Sequence, residues 1–149
     1  MITKLGKEKL EQQLDELQKE LARTFEERRK AAEEGDLKEN SAYIFYGERA
    51  QVLDTQISQL RDDLKMAKVK MAPTQTEIIE FGHAVTVCFE DDQRQMTITL
   101  VGKNDASLKI GWVSLESPLG LALTGKKKGE KVMVNDQMVQ ILEVKVGEV

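Results

Sequence analysis

Cysteine is almost absent from the 149-residue chain: Cys88 stands alone. Neither an internal disulfide nor a cysteine-based zinc site can be built from one thiol, which suits a reducing compartment. Histidine is equally scarce, and His83 has no second ligand type near it in sequence, so it reads as structural. Aromatic residues make up 5% of the chain, too few to line a large ligand pocket. No apolar run approaches the ~18 residues that a membrane span needs. Met1-Ile2-Thr3-Lys4 turns charged at once, without an apolar signal region. A cytoplasmic protein with no membrane span is therefore expected. Charge of one sign is also missing: 22 basic against 26 acidic side chains leave a net charge of −4. That excludes general coating of nucleic acid by a basic surface and leaves room only for a local patch.

The two prolines, Pro73 and Pro118, both fall in the second half, and the halves differ in pattern. Residues 1–70 hold no proline and three glycines, Gly6, Gly35 and Gly47. Leu10, Leu14, Leu17 and Leu21 repeat at spacings of 4 and 3, as do Leu53, Ile57, Leu60, Leu64, Ala67 and Met71. Two apolar positions in seven is the seam of a coiled coil, narrower than the stripe of a helix buried in a globule. Gly35 separates the runs, which predicts an antiparallel hairpin with Leu21 near Leu53 and Leu10 near Leu64. Arms of about 28 residues would reach roughly 40 Å at about 1.5 Å per residue. A two-helix hairpin is too thin to enclose a substrate, so chemistry at its tip needs a surface from another molecule.

The second half alternates. Val85, Val87 and Phe89 oppose Thr86, Cys88 and Glu90, and Met96, Ile98 and Leu100 oppose Gln95, Thr97 and Thr99. Cys88 then reads as a small buried strand residue. Asn135-Asp136 separates Val132-Met133-Val134 from Val139-Gln140-Ile141 and reads as a hairpin turn. Ser117-Pro118 opens a short helix that Gly125 ends. The expected fold class is α+β: an antiparallel two-helix coiled coil over residues 1–71, with its acidic tip near 35–42, then an antiparallel β domain with one short helix over 72–149.

Gly35-Asp36-Leu37-Lys38-Glu39-Asn40-Ser41-Ala42-Tyr43 occupies the expected tip. One reading is structural: Gly35 ends a helix, Asp36 caps the next, and Glu39 completes something close to a capping box. The other is chemical: two carboxylates three residues apart can converge on a hard cation through oxygen. The segment closely resembles the tip motif of the Gre family of bacterial transcript-cleavage factors, GDLKEN followed by a small residue and an acid–Tyr pair. Ser117-Pro118-Leu119-Gly120-Leu121-Ala122-Leu123-Thr124-Gly125-Lys126 resembles the family's SPxGxALxGK segment, flanked by Val113-Ser114 and by Gly129-Glu130 with Val132. Phe81-Gly82-His83-Ala84-Val85-Thr86-Val87 resembles its FGxxVTV opening. The likeness runs in order along nearly the whole chain.

The resemblance implies an N-terminal coiled coil and a C-terminal domain of the FKBP-like type. It implies a monomer that binds bacterial RNA polymerase, docking through Ser117, Pro118, Leu119, Gly120 and Lys126 on the rim of the secondary channel. The coiled coil would enter that channel and bring Asp36 and Glu39 to the polymerase's second magnesium ion. The chain would not be an enzyme and would hold no cofactor of its own. It would stimulate the polymerase's cleavage of backtracked RNA, sharing Mg2+ with that active site.

Four places depart from the family pattern. Ala42 replaces a common third tip acid, and Leu121 a common arginine. Trp112 replaces a smaller aliphatic residue, and Ile44-Phe45-Tyr46-Gly47 is unusually aromatic. They keep open a second reading, a paralogue that occupies the channel and regulates polymerase without efficient cleavage. Arg49 is the leading residue for contact with the nascent RNA 3′ end, with Arg28, Arg29 and Lys30 beside it; solvated helix faces are the alternative. Tyr43 and Tyr46 either stack on an RNA base or plug the end of the hairpin. Lys126-Lys127-Lys128 is either a solvated turn or part of the docking surface. A prolyl-isomerase pocket needs more aromatics than Phe81, Phe89 and Trp112 supply. A plain coiled-coil adaptor would not need the Asp36/Glu39 pair.

Overall fold

A computed structural model describes residues 1–35 and 40–149. These residues divide into two compact units, Glu8–Ala67 and a second composed of Met1–Lys7 with Lys68–Val149.

Helices α1 (Lys4–Glu33) and α2 (Ser41–Met66) supply the first unit. Their antiparallel pairing is fixed by three cross-helix contacts. Arg49 bonds Glu20 at 2.6 Å, Arg28 lies 4.2 Å from the Tyr43 ring centre, and the Asn40 amide donates to the Ala31 carbonyl at 2.6 Å. Leu53 and Ile57 are fully buried, and Leu14, Leu17, Leu21, Leu60 and Leu64 are half-buried. Burying a side chain of the Leu53 kind contributes about 1.5–3 kcal/mol relative to leaving it in water. The heptad seam continues beyond the leucines. Thr24, Arg28 and Ala31 extend it on α1, and Tyr43, Tyr46 and Ala50 on α2. Thr24, Ala31 and Ala50 are buried. Buried Thr24 satisfies its hydroxyl on the Glu20 carbonyl at 2.8 Å, as a mid-helix threonine does.

The second unit is a five-stranded sheet of order β3-β2-β1-β5-β4. Its strands are β1 (His83–Phe89), β2 (Arg94–Val101), β3 (Trp112–Ser114), β4 (Lys131–Val134) and β5 (Gln137–Val146). The alternation in the sequence selects its inner face: Val85, Val87, Phe89, Ile98, Leu100, Val139 and Ile141 are buried. Helix α3 (Pro118–Leu123) covers that face with Leu123, while Leu119 and Ala122 pack at the margin. Asn135 and Asp136 both take positive φ, 48° and 64°, the turn that matches the twist of the paired β4 and β5. A register shift between Thr86 and Val87 bends β1 against β5.

The sheet is mixed, not purely antiparallel: β3 runs parallel to β2, with Thr99 opposite Trp112. Parallel neighbours need a crossover, and residues 102–111 provide it. That loop folds back on Asp105, whose amide bonds the Gly102 carbonyl and whose carbonyl receives the Leu108 amide. A three-residue strand carries too little alternation for its direction to be read from sequence.

The units also do not follow a single cut at Met71. Ile2 bridges Val69 through two backbone bonds of 3.0 Å, and Ile2 and Thr3 are buried. The first seven residues thus complete the unit otherwise made by the C-terminal half.

Candidate functional site

Two places in the chain are candidates. The first is the junction of α1 and α2, where Asp36 and Glu39 lie outside the described residues. The Glu34 amide bonds the Ala31 carbonyl at 3.2 Å, closing α1. Helix α2 starts at Ser41, and its cap is Asn40, not Asp36 as the sequence pattern predicts. Asn40 serves both helices. Its Oδ1 accepts from the Tyr43 amide at 3.1 Å while its Nδ2 donates to Ala31. Sequence reasoning missed this residue, although asparagine ranks with aspartate as a cap.

The aromatic and basic residues expected to face RNA lie beside this junction. Tyr43 stacks under the Arg28 guanidinium, and Tyr46 meets Phe45 edge-on at 5.2 Å. Both tyrosines are half-buried. Arg49 is spent on its 2.6 Å bond to Glu20. Arg29 pairs with Glu26 and Glu33, at 2.7 and 2.6 Å, and Lys30 with Glu27 at 3.5 Å. The Arg29 guanidinium holds the Glu26 carboxyl below the usual carboxylate range, first by hydrogen bonding and then by charge. Arg29 itself is held more firmly protonated by the same partner, with Glu33 adding to it. These cations thus carry local countercharges, which narrows any basic patch. Gly47 lets Arg28 approach, because a Cβ there would lie 2.8 Å from Arg28 Nη2. Phe25 and Ile44, about half exposed, border an open cleft of about 520 Å3 next to Arg28 and Tyr43. Among the described residues no group of three or more His, Cys, Asp or Glu side chains is placed to hold a metal ion.

The second candidate is the segment around α3. Ser117 caps the helix, accepting from the Gly120 amide at 3.1 Å and donating to the Ser114 carbonyl at 2.7 Å. Pro118 fills the first helical position, where its missing N–H costs nothing. Gly120 is buried against β3: a Cβ there would overlap the Ser114 carbonyl oxygen. Leu123 points into the core, leaving Leu121 68% exposed on the outer side. Phe89, Val113, Pro118, Leu119 and Val134 line a shallow apolar groove beside the helix. Lys126 is exposed, and its carbonyl accepts from the Ile79 amide at 2.9 Å. The structure therefore gathers Ser117, Pro118, Leu119 and Gly120 on one element, with Lys126 just past its end.

His83 is fully buried. Its Nδ1 accepts from the Glu80 amide at 3.0 Å and its Nε2 lies 3.2 Å from the Pro73 carbonyl, a structural use of both ring nitrogens.

Both halves of the chain match models of one family. Residues 1–69 match "Transcription elongation factor, N-terminal" and residues 74–148 match "Transcription elongation factor, GreA/GreB, C-term". The chain belongs to the GreA/GreB family of transcription elongation factors. Transcription elongation factor GreA of Maridesulfovibrio salexigens is 36% identical over 135 residues, covering 90% of this chain and 84% of that protein. Its counterpart from Alkalilimnicola ehrlichii is 33% identical over 152 residues, covering 97% and 96%. Among solved structures, GreA factor homolog 1 (Gfh1) of Thermus thermophilus is 21% identical at a TM-score of 0.44, covering 96% of each chain. The GreA/GreB factor of Nitrosomonas europaea is 25% identical at a TM-score of 0.41, covering 66% of this chain and 92% of that one. Within the GreA/GreB frame, residues 34–40 lie between the two helices in sequence and the α3 segment belongs to the sheet unit. Among the described residues, no helix is long and apolar enough to cross a membrane.

Proposed function

We propose that the chain binds bacterial RNA polymerase and stimulates the polymerase's own cleavage of backtracked RNA. The observation that carries this reading is the family match over both halves, together with GDLKEN at the junction of two long helices. Ser117, Pro118, Leu119, Gly120 and Lys126 dock the sheet unit on the rim of the secondary channel. The helical hairpin enters the channel as a monomer. Asp36 and Glu39 then reach the polymerase active site, where the RNA 3′ end lies near Tyr43, Tyr46 and Arg49.

Two carboxylates are hard oxygen donors, the chemistry that magnesium prefers. Asp36 and Glu39 would share with polymerase the holding of a magnesium ion, which would supply stabilisation of developing charge and a more nucleophilic water near neutral pH. The chain's own part is to hold two carboxylates at the end of a removable arm and to orient water. It is therefore a stimulating factor and not a nuclease.

The test uses Asp36→Asn and Glu39→Gln on stalled, backtracked elongation complexes. Each change keeps size and removes one charge. A loss of several kcal/mol of transition-state stabilisation lowers cleavage about a hundredfold or more, with polymerase affinity preserved. Wild-type cleavage by both variants would instead favour a factor that occupies the channel without lending acids. Collapse of binding in parallel with cleavage would make the tip a docking element.

A further inference from the structure

Arg28 differs from the other cations of the helical unit's aromatic end. Arg29, Lys30 and Arg49 each hold a carboxylate. Among the described residues no carboxylate pairs with Arg28, and its Nε is buried without a hydrogen-bond partner. The guanidinium is held instead over the Tyr43 ring, 4.2 Å from its centre, and against Gly47, where a Cβ would lie 2.8 Å from Nη2. It borders a cleft of about 520 Å3, within the ~300–1,000 Å3 of small-molecule sites. Phe25 and Ile44 supply apolar walls, and Glu48 and Asp54 add two carboxylates. All of these residues belong to one compact unit.

This mixture selects its occupant by charge. One guanidinium and two carboxylates give the cleft a net negative formal charge, so it is no seat for a phosphate chain. A purely apolar side chain would leave the ionic groups without partners. An unstacked nucleobase uses both kinds of wall, its faces on apolar groups and its edges on polar ones. Among the RNA bases, guanine pairs two adjacent acceptors, O6 and N7, which match a guanidinium fork, with two adjacent donors, N1–H and N2–H2, which match a carboxylate. Glu48 follows Gly47 directly and so stands level with Arg28, whereas Asp54 lies about 10 Å farther along α2 at about 1.5 Å per residue. We propose that the cleft is a guanine subsite for the extruded RNA: the base lies against Phe25 and Ile44, with O6 and N7 accepting from Arg28 and N1–H and N2–H2 donating to Glu48. This rests on the function proposed above for the source of the base, and the test separates the two.

The probes are the RNA trinucleotides UGU, UAU, UCU and UUU and free GMP. They are titrated into the full chain while the Phe25 and Tyr43 ring signals and the Ile44 methyl signals are followed by NMR. UGU should move all three and bind about fivefold or more tighter than the other trinucleotides, the discrimination of one bidentate base contact. Phe25→Ser should weaken UGU and UUU alike by about tenfold, because stacking tolerates any base. Glu48→Gln should remove the preference for UGU and leave UUU binding as it is. Gly47→Ala should remove it too: the new Cβ meets only the flexible end of Arg28 and displaces it from Tyr43. Ellipticity at 222 nm checks that each variant keeps its helices. Equal binding of the four trinucleotides, or a UGU preference that survives both Glu48→Gln and Gly47→Ala, would overturn the proposal. So would shifts that depend on protein concentration alone, which would seat a second copy in the cleft, or binding of GMP without binding of UGU, which would assign it to a free nucleotide. In backtracked elongation complexes, half-maximal cleavage should need about fivefold less factor when the extruded RNA carries guanosine in place of uridine, and Glu48→Gln should erase that difference. No difference with the parent protein would overturn RNA as the source of the base. If the parent stimulates no cleavage at all, the proposed function falls, and the trinucleotide titrations still decide the guanine subsite.

Discussion

Replacing Gly120 by alanine sets two effects of opposite sign against each other. Gly120 sits inside α3, where alanine is the better helix former by about 1 kcal/mol. Packing opposes the change. The new Cβ would overlap the Ser114 carbonyl oxygen and lie 2.9 Å from Leu115 Cα, and both are backbone atoms. No side-chain rotation relieves that contact. The obstructing segment is itself pinned, because the Leu115 amide bonds the Val101 carbonyl at 2.9 Å and Ser114 accepts from both the amide and the hydroxyl of Ser117. Helix α3 must therefore move off the sheet and loosen Leu123. Overpacking of this kind costs about 1–3 kcal/mol, and a backbone obstacle places it at the upper end. The net loss is about 2 kcal/mol. For a unit of this size that lowers Tm by roughly 10 °C. Thermal unfolding of the full chain, followed by near-ultraviolet dichroism at Trp112, measures it. Gly125→Ala is the control: nothing lies within 4 Å of its Cβ, and only its φ of 82° resists substitution. That change should cost about 1 kcal/mol, less than Gly120→Ala. If Gly120→Ala is neutral or stabilising, close backbone approach is not what seats α3, and the packing argument fails.

Leu53→Ala should destabilise the helical unit by about 2–5 kcal/mol, read as an earlier loss of ellipticity at 222 nm; an unchanged helical transition would mean that the seam does not hold the hairpin. Asn40→Ala removes a cap and orphans the Tyr43 amide, so it should cost about 1 kcal/mol and speed hydrogen exchange at Tyr43 without moving the sheet unit. Glu26 should titrate below an ordinary glutamate by carboxyl NMR and return toward the usual value in Arg29→Ala. Because its folded pKa is lowered, its stabilising contribution is present above the unfolded pKa and is lost as pH falls through the folded one. A fragment of residues 72–149 should unfold more easily than the same unit in the full chain, because it lacks Ile2 and Thr3, and addition of a peptide bearing residues 1–7 should raise its Tm.

Legibility in the sequence tracked how local each determinant is. The leucine spacing of α1 and α2, the alternation around Val85 and Ile98, the Asn135-Asp136 turn and the Ser117-Pro118 helix start all depend on residues a few positions apart. The motif at 35–40 and the segment at 117–126 were legible for the same reason, as strings. Other features depended on partners distant in sequence. The heptad arithmetic does run on through Arg28 and Tyr43, yet a charged residue and an aromatic join a seam only because they stack on each other across the hairpin. Arg49 reads as a free cation until Glu20, 29 positions earlier, is brought against it. Asp36 looks like a cap until Asn40 is seen to bond both helices. The parallel placement of β3 and the anchoring of Thr3 on Asp105, 102 residues away, leave no local pattern, because what determines them is which backbone donors a buried carboxylate meets once the chain has closed. Periodicity and short motifs thus determined the elements and the two candidate sites by themselves. Tertiary contact decided which charges are spent, where α2 begins and which unit holds the root of α1, since ion pairs, caps and buried acceptors are satisfied by whatever the fold brings within about 3 Å.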